Sequence, residues 1–200
     1  MTLIFFIKSE TVDISNYIIK DIPGTTGRLD VISRCILAAL MSDSESLEKD
    51  VEIWIFLDNY GTFVFNTEHL EYGALPKNEL LLTDYFVDLI KKNSVKDNDE
   101  THFLSPVEIS KMTYIKAIEH FIDLSYRIFI LEENGEDFFK IVKKIDSQQN
   151  LVFIVGNQSG VEINSMELKT LNLASVSLGT QSYLASSVIR LIKLHLITLE

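Results

Sequence analysis

Near the C-terminus, two apolar stretches each run into a glycine: Leu151-Val152-Phe153-Ile154-Val155-Gly156-Asn157-Gln158-Ser159-Gly160 and Ala174-Ser175-Val176-Ser177-Leu178-Gly179-Thr180-Gln181-Ser182-Tyr183-Leu184. Each reads as a β-branched strand, a glycine that lets backbone come close to something, and small polar residues able to cap a helix. Ligands of open α/β sheets sit outside the carboxyl ends of the strands, so two such ends suit a nucleotide-like molecule held by backbone groups. A phosphate cradle is not encoded. A dinucleotide fingerprint needs G-x-G-x-x-G and a phosphate loop ends in Gly-Lys-Ser/Thr, whereas Gly156-x-x-x-Gly160 is followed by Val161. Either glycine taken singly is also served by a tight strand-to-helix turn.

A second group of candidate residues lies near the N-terminus. The run Asp21-Ile22-Pro23-Gly24-Thr25-Thr26-Gly27-Arg28-Leu29-Asp30 delivers the chain to a helix, followed by Arg34 and Cys35. Asp30 in the first turn suits the helix macrodipole and can pair with Arg34 four residues on.

The elements that must position these residues follow from periodicity. Leu3 to Lys8 is a first strand, and Leu29, Ile32, Ile36, Ala39 and Leu40 recur at helical spacing up to Met41, with Ser42 to Ser46 ending the helix. Val51 to Leu57 and Thr62 to Phe65 are strands joined by the hairpin turn Asp58-Asn59-Tyr60-Gly61. Leu80 to Ile90 is a helix closed by Lys91 and Lys92, and Asn93 to Glu100 a solvated loop. Then come a helix from Tyr114 to Leu124, a strand from Tyr126 to Leu131, a helical or looped Asp137 to Lys144, strand Leu151 to Val155, a helix from Met166 to Leu171, strand Ala174 to Leu178 and a helix from Tyr183 to Leu199. The alternation predicts one α/β domain over residues 1–200, with a mostly parallel sheet and helices on both faces.

Composition narrows the function classes. With 46% hydrophobic and 24% charged residues the chain is an ordinary globular one, and no apolar run reaches the length of a membrane span. Cys35 is the only cysteine and His69, His102, His120 and His195 lack ligand spacing, which predicts no disulfide, no metal site and a cytoplasmic location. A buried, inert Cys35 fits a helix interior. The net charge of −11 has the wrong sign for generic nucleic-acid binding, but it is uneven: residues 1–140 carry 13 basic and 25 acidic groups, residues 141–200 carry 5 and 4.

The two glycine turns, in this order and this near the C-terminus, resemble those of the SPOUT methyltransferases. From Phe5 to about Leu196 the chain is similar to the archaeal tRNA pseudouridine-54 N(1)-methyltransferase family within them. The match is tightest over Asp21 to Asp30 with Arg34 and Cys35. The resemblance implies a C-terminal trefoil knot, S-adenosylmethionine as methyl donor, tRNA as substrate and a homodimer without metal or membrane. It assigns cofactor contacts to Leu131 and the Glu132-Glu133-Asn134-Gly135 loop after it, to Gly156, to Leu178, Gly179, Thr180, Gln181, Ser182 and Tyr183, and to Val188. It makes Asp30 a catalytic residue able to orient the pseudouridine or take the N1 proton, and lets Arg28 hold a phosphate or uracil carbonyl. The chain departs from the family in having Gly179-Thr180 where a Ser-Pro pair is usual and Val188 where a cysteine is usual. The alternatives are the same methylation on ribosomal RNA, and a non-catalytic RNA- or cofactor-binding protein on the same scaffold.

Overall fold

In a computed structural model, which describes residues 1–42, 45–95, 102–104, 106–156 and 166–197, the first strand β1 (Leu3–Ser9) lies inside the sheet. Leu3, Phe5 and Ile7 join one buried cluster and Ile4 and Phe6 the other, so the strand is apolar on both faces and both faces are covered. The elements that follow are α1 (Ile22–Thr25), α2 (Leu29–Leu40), β2 (Val51–Leu57), β3 (Gly61–Asn66), α3 (Glu79–Val95), β4 (His102–Leu104), β5 (Val107–Ser110), α4 (Tyr114–Asp123), β6 (Arg127–Asp137), α5 (Phe138–Ile141), β7 (Leu151–Val155), α6 (Met166–Thr170), β8 (Ala174–Ser177) and α7 (Ala185–Ile197).

The strands form one sheet in the order β4-β5-β3-β2-β1-β7-β6-β8. From β2 through β8 the pairs are parallel, with Phe5 opposite both Ile53 and Phe153, whereas β3, β5 and β4 extend the β2 edge antiparallel. Helices α2, α3 and α7 cover the face of Phe5, while α4 and α6 cover the face of Phe6. The predicted mostly parallel sheet with helices on both faces is therefore what the chain forms.

Local differences from the periodicity have physical causes. The Pro-Gly turn closes into the helical turn α1, because Pro23 suits a first turn and the Asp21 carboxylate accepts from the Gly24 N–H at 3.3 Å. Strand β6 runs to Asp137 rather than Leu131: Leu131 and Glu136 both face Val176, so Glu132 to Gly135 loop out and the strand then resumes its pairing with β8. The Asp137 to Lys144 stretch is α5 followed by a 3-10 turn, and β4 and β5 occupy a region with no predicted strand. Helix α7 begins at Ala185, two residues past the predicted Tyr183, and its predicted end at Leu199, like Gly160 and the later part of the 93–100 loop, lies outside the described residues.

Helix α7 is tied to α2 by a buried cation. Lys193 Nζ donates to the carbonyls of Ala39 and Met41 at 3.1 and 2.7 Å and pairs with Glu48 at 2.8 Å, its side chain 7% exposed. A cation at the end of α2 meets the unsatisfied carbonyls and the negative end of the helix dipole. Replacing Lys193 by Met should destabilise the fold by about 3 kcal/mol, because it strands Glu48 and two carbonyls. The check is a urea titration, in which the midpoint falls and the slope is unchanged.

Candidate active site

A cavity of about 950 Å³ opens at the carboxyl ends of β1, β6, β7 and β8, with α2 and α7 as side walls. Ligands of such sheets bind at this end, and the volume lies in the range of nucleotide-sized sites, roughly 300–1,000 Å³. Of the residues predicted to hold a cofactor, Leu131, Gly156, Leu178, Gly179, Gln181, Ser182, Tyr183 and Val188 all line it. Thr180 does not; it is exposed on the outer side of the same turn. The two turns read from sequence as strand ends converge here, joined by the β6 loop through Glu132 and Glu133.

Gly179 has φ +113°, a conformation that side chains resist, and an added Cβ would meet no protein atom within 4 Å. Backbone geometry rather than crowding by the protein therefore selects glycine there. The turn is braced by Ser177, whose buried hydroxyl accepts from the Gly179 N–H at 3.2 Å and donates to the Glu133 carbonyl at 3.0 Å. By sequence Ser177 is an ordinary strand residue, because its partner Glu133 is 44 residues away.

The second candidate group reaches the cavity through a tightly held loop. Gly27 (φ +58°) lies against Thr11, where a Cβ would collide with the Thr11 carbonyl oxygen. Buried Thr26 donates to the Ile22 carbonyl at 2.7 Å and accepts from the Leu29 N–H at 3.1 Å, so one hydroxyl joins the end of α1 to the start of α2. Arg28 follows in the left-handed region (φ 72°) and lines the cavity. Its side chain reaches forward: Nε and Nη2 donate to Asp30 Oδ1 and Oδ2 at 3.1 and 3.2 Å. This bidentate geometry is the strong form of an ion pair, and it raises the Arg28 pKa further.

Asp30 is buried, with 5% of its side chain exposed, and does not line the cavity. Besides Arg28 it accepts from Arg34 Nη2 at 3.3 Å, the i,i+4 pair that the sequence allowed. Arg34 in turn has Nε 3.3 Å from Glu79 Oε2 in the first turn of α3. A chain of alternating charges thus runs from α3 through α2 to the cavity wall.

Cys35 also lines the cavity, but burial pushes its thiol up to about 12, which leaves it protonated and unreactive at neutral pH. Lys8 at the cavity mouth pairs with Glu10 and Asp58, each at 3.3 Å. Among the described residues no three His, Cys, Asp or Glu side chains gather as metal ligands, and no helix is long and apolar enough to cross a membrane.

Residues 1–200 match the family described as "Putative SAM-dependent RNA methyltransferase". Among similar sequences, a tRNA (pseudouridine(54)-N(1))-methyltransferase of Pyrococcus abyssi is 26% identical over 96% of both chains. One of the same name from Methanococcoides burtonii is 30% identical over 82% of both chains. Among solved structures, Archaeoglobus fulgidus Nep1 bound to S-adenosylhomocysteine superposes with a TM-score of 0.68 over 99% of this chain and 98% of that one, at 16% identity, a likeness of fold. Matched by the family's model from end to end and by a relative at 30% identity, the chain belongs to the SAM-dependent RNA methyltransferase family.

Proposed function

We propose that this protein is a cytoplasmic homodimer that methylates N1 of pseudouridine 54 in the T arm of tRNA. The observation that carries the reading is that Arg28 lines the same cavity as three strand-end loops suited to a nucleoside. The names of the Pyrococcus abyssi and Methanococcoides burtonii relatives support the RNA and the nucleotide. The return of α7 to α2 after β8 has crossed to the far side of β6 supports the trefoil that the resemblance implies.

The cavity residues fit S-adenosylmethionine. Leu131, Leu178 and Val188 offer apolar contact, the loops at Gly156 and Gly179 offer backbone donors and acceptors, and Glu132 and Glu133 offer carboxylates to hydroxyl or ammonium groups. Bound there, the cofactor supplies an electrophilic methyl group. The work left to the chain is to align the uracil ring and to ease loss of its N1 proton. Arg28 performs this by donating to a ring carbonyl, where negative charge gathers as the N1 proton passes to solvent water. Asp30, behind Arg28 and out of the cavity wall, contributes by fixing that guanidinium rather than by touching the ring.

Three outcomes test the reading. In single-turnover assays on a pseudouridine-containing T-arm RNA, with products read by nucleoside mass spectrometry, Asp30→Asn should slow transfer on the order of a hundredfold with cofactor affinity unchanged. Full activity beside a lowered melting temperature would make the Asp30 cluster structural only. Gly179→Val, which forces a β-branched residue into a conformation it rejects, should abolish cofactor binding in calorimetry; unchanged affinity speaks against the site. For the dimer, α7 turns Ile189, Ile192 and Leu196 into the core and leaves Leu194 more than half exposed, as is Leu184 just before the helix at the cavity rim, apolar surface for a second copy to cover. Light scattering at micromolar concentration should give twice the chain mass, and a monomer mass rejects the dimer.

A further inference from the structure

Arg34 sits one helical turn beyond Asp30, does not line the cavity, and is gripped at two points. Nη2 lies 3.3 Å from Asp30 Oδ2, and Nε lies 3.3 Å from Glu79 Oε2 without the alignment of a hydrogen bond. The two arginines on Asp30 differ in freedom. Arg28 is 45% exposed and stands at the cavity; Arg34 is 32% exposed and spans two helices. The carboxylate between them is buried, and a buried carboxylate left with no cation is costly. The bonds from Arg28 to Asp30 use Nε and Nη2, so Nη1 can meet a substrate while the pair holds, and the second guanidinium steadies the shared carboxylate from the helix side.

We propose that Arg34 is a positioning residue for methyl transfer. It holds the plane of the Asp30 carboxylate so that Arg28 is presented to the cavity at one angle, and Glu79 on α3 fixes Arg34 in turn. The carboxylate cannot take its orientation from Arg28 alone without following each movement of that half-exposed side chain. Arg34, bonded to the same Oδ2 that Arg28 Nη2 uses, fixes the acceptor from the helix side. The proposal rests on the reading of Arg28 as the group that meets the reacting ring.

The test has one arm that needs RNA and one that does not. On the T-arm RNA, Arg34→Gln should lower the single-turnover rate about tenfold or more while cofactor affinity stays within about twofold, and Arg34→Lys, which keeps a charge but not the fork, should recover part of the loss. Combining Arg34→Gln with Asp30→Asn should be no slower than Asp30→Asn alone, the signature of a residue that acts through another. Independently, nuclear magnetic resonance of the Arg28 Nε–H, which donates to Asp30 Oδ1 at 3.1 Å, should report exchange with water several-fold faster in Arg34→Gln than in the unaltered protein. Additive losses in the double variant, or an unchanged Arg28 Nε–H exchange rate, overturn the proposal. If the unaltered protein fails to methylate the RNA, the functional reading falls and the exchange measurement alone judges Arg34. Should Arg34→Gln not fold, Arg34→Lys takes its place in the exchange measurement, with a smaller acceleration expected and no change overturning the proposal.

Discussion

The side walls of the cavity stand where they do because the last helix is fastened to the first long one by a buried lysine. Lys193 occupies the carbonyl end of α2 and pairs with Glu48, so the charge is compensated on one side by a carboxylate and on the other by the helix terminus. That fastening, with the buried apolar residues shared by the two helices, holds the α2 wall, with Val31, Ile32 and Cys35, against the α7 wall, with Ala185 and Val188. The sheet between them sets the floor. Because β1 pairs in parallel with β7, and β7 with β6, the carboxyl ends of these strands finish together and their loops face one space.

Within that space the chain separates two tasks. The loop within β6 and the turn after β8 present backbone and are braced to each other by the hydroxyl of Ser177. The charged machinery sits on the opposite wall and is held from behind, by Arg34 and Glu79, so that only Arg28 of this group lines the cavity. Burying Asp30 between two guanidiniums makes its interactions strong because little water competes for them, and makes its position strict for the same reason. The arrangement also softens a difficulty posed by composition. A net charge of −11 repels RNA at long range, yet at this wall the described charges alternate, with two arginines shared by one buried aspartate.

The loop that carries Arg28 shows how several weak sequence signals combine. Pro23 starts the turn of α1, Thr26 caps the next helix through its hydroxyl, and Gly27 lies against Thr11. Arg28 then has positive φ, uncommon for a residue with a Cβ, and the bidentate contact to Asp30 two residues on accompanies that conformation. The backbone and the ion pair therefore specify each other.

Those parts of the molecule that rest on local pattern can be read from the chain. Uninterrupted apolar strands such as Leu151 to Val155 announce a sheet covered on both faces, the 3.6-residue spacing from Leu29 to Leu40 announces α2, and the glycine turns announce the strand ends that line the cavity. The Asp30 to Arg34 pair was also legible, because four residues is a fixed distance on a helix. The order β7-β6-β8, the resumption of β6 after its loop, the strands β4 and β5, the burial of Asp30 and the presence of Arg28 rather than Asp30 in the cavity lining emerge only on folding. The physical reason is separation along the chain. Lys193 meets Ala39 across 154 residues and Ser177 meets Glu133 across 44, and neither contact leaves a mark on the local periodicity that a sequence can be read by.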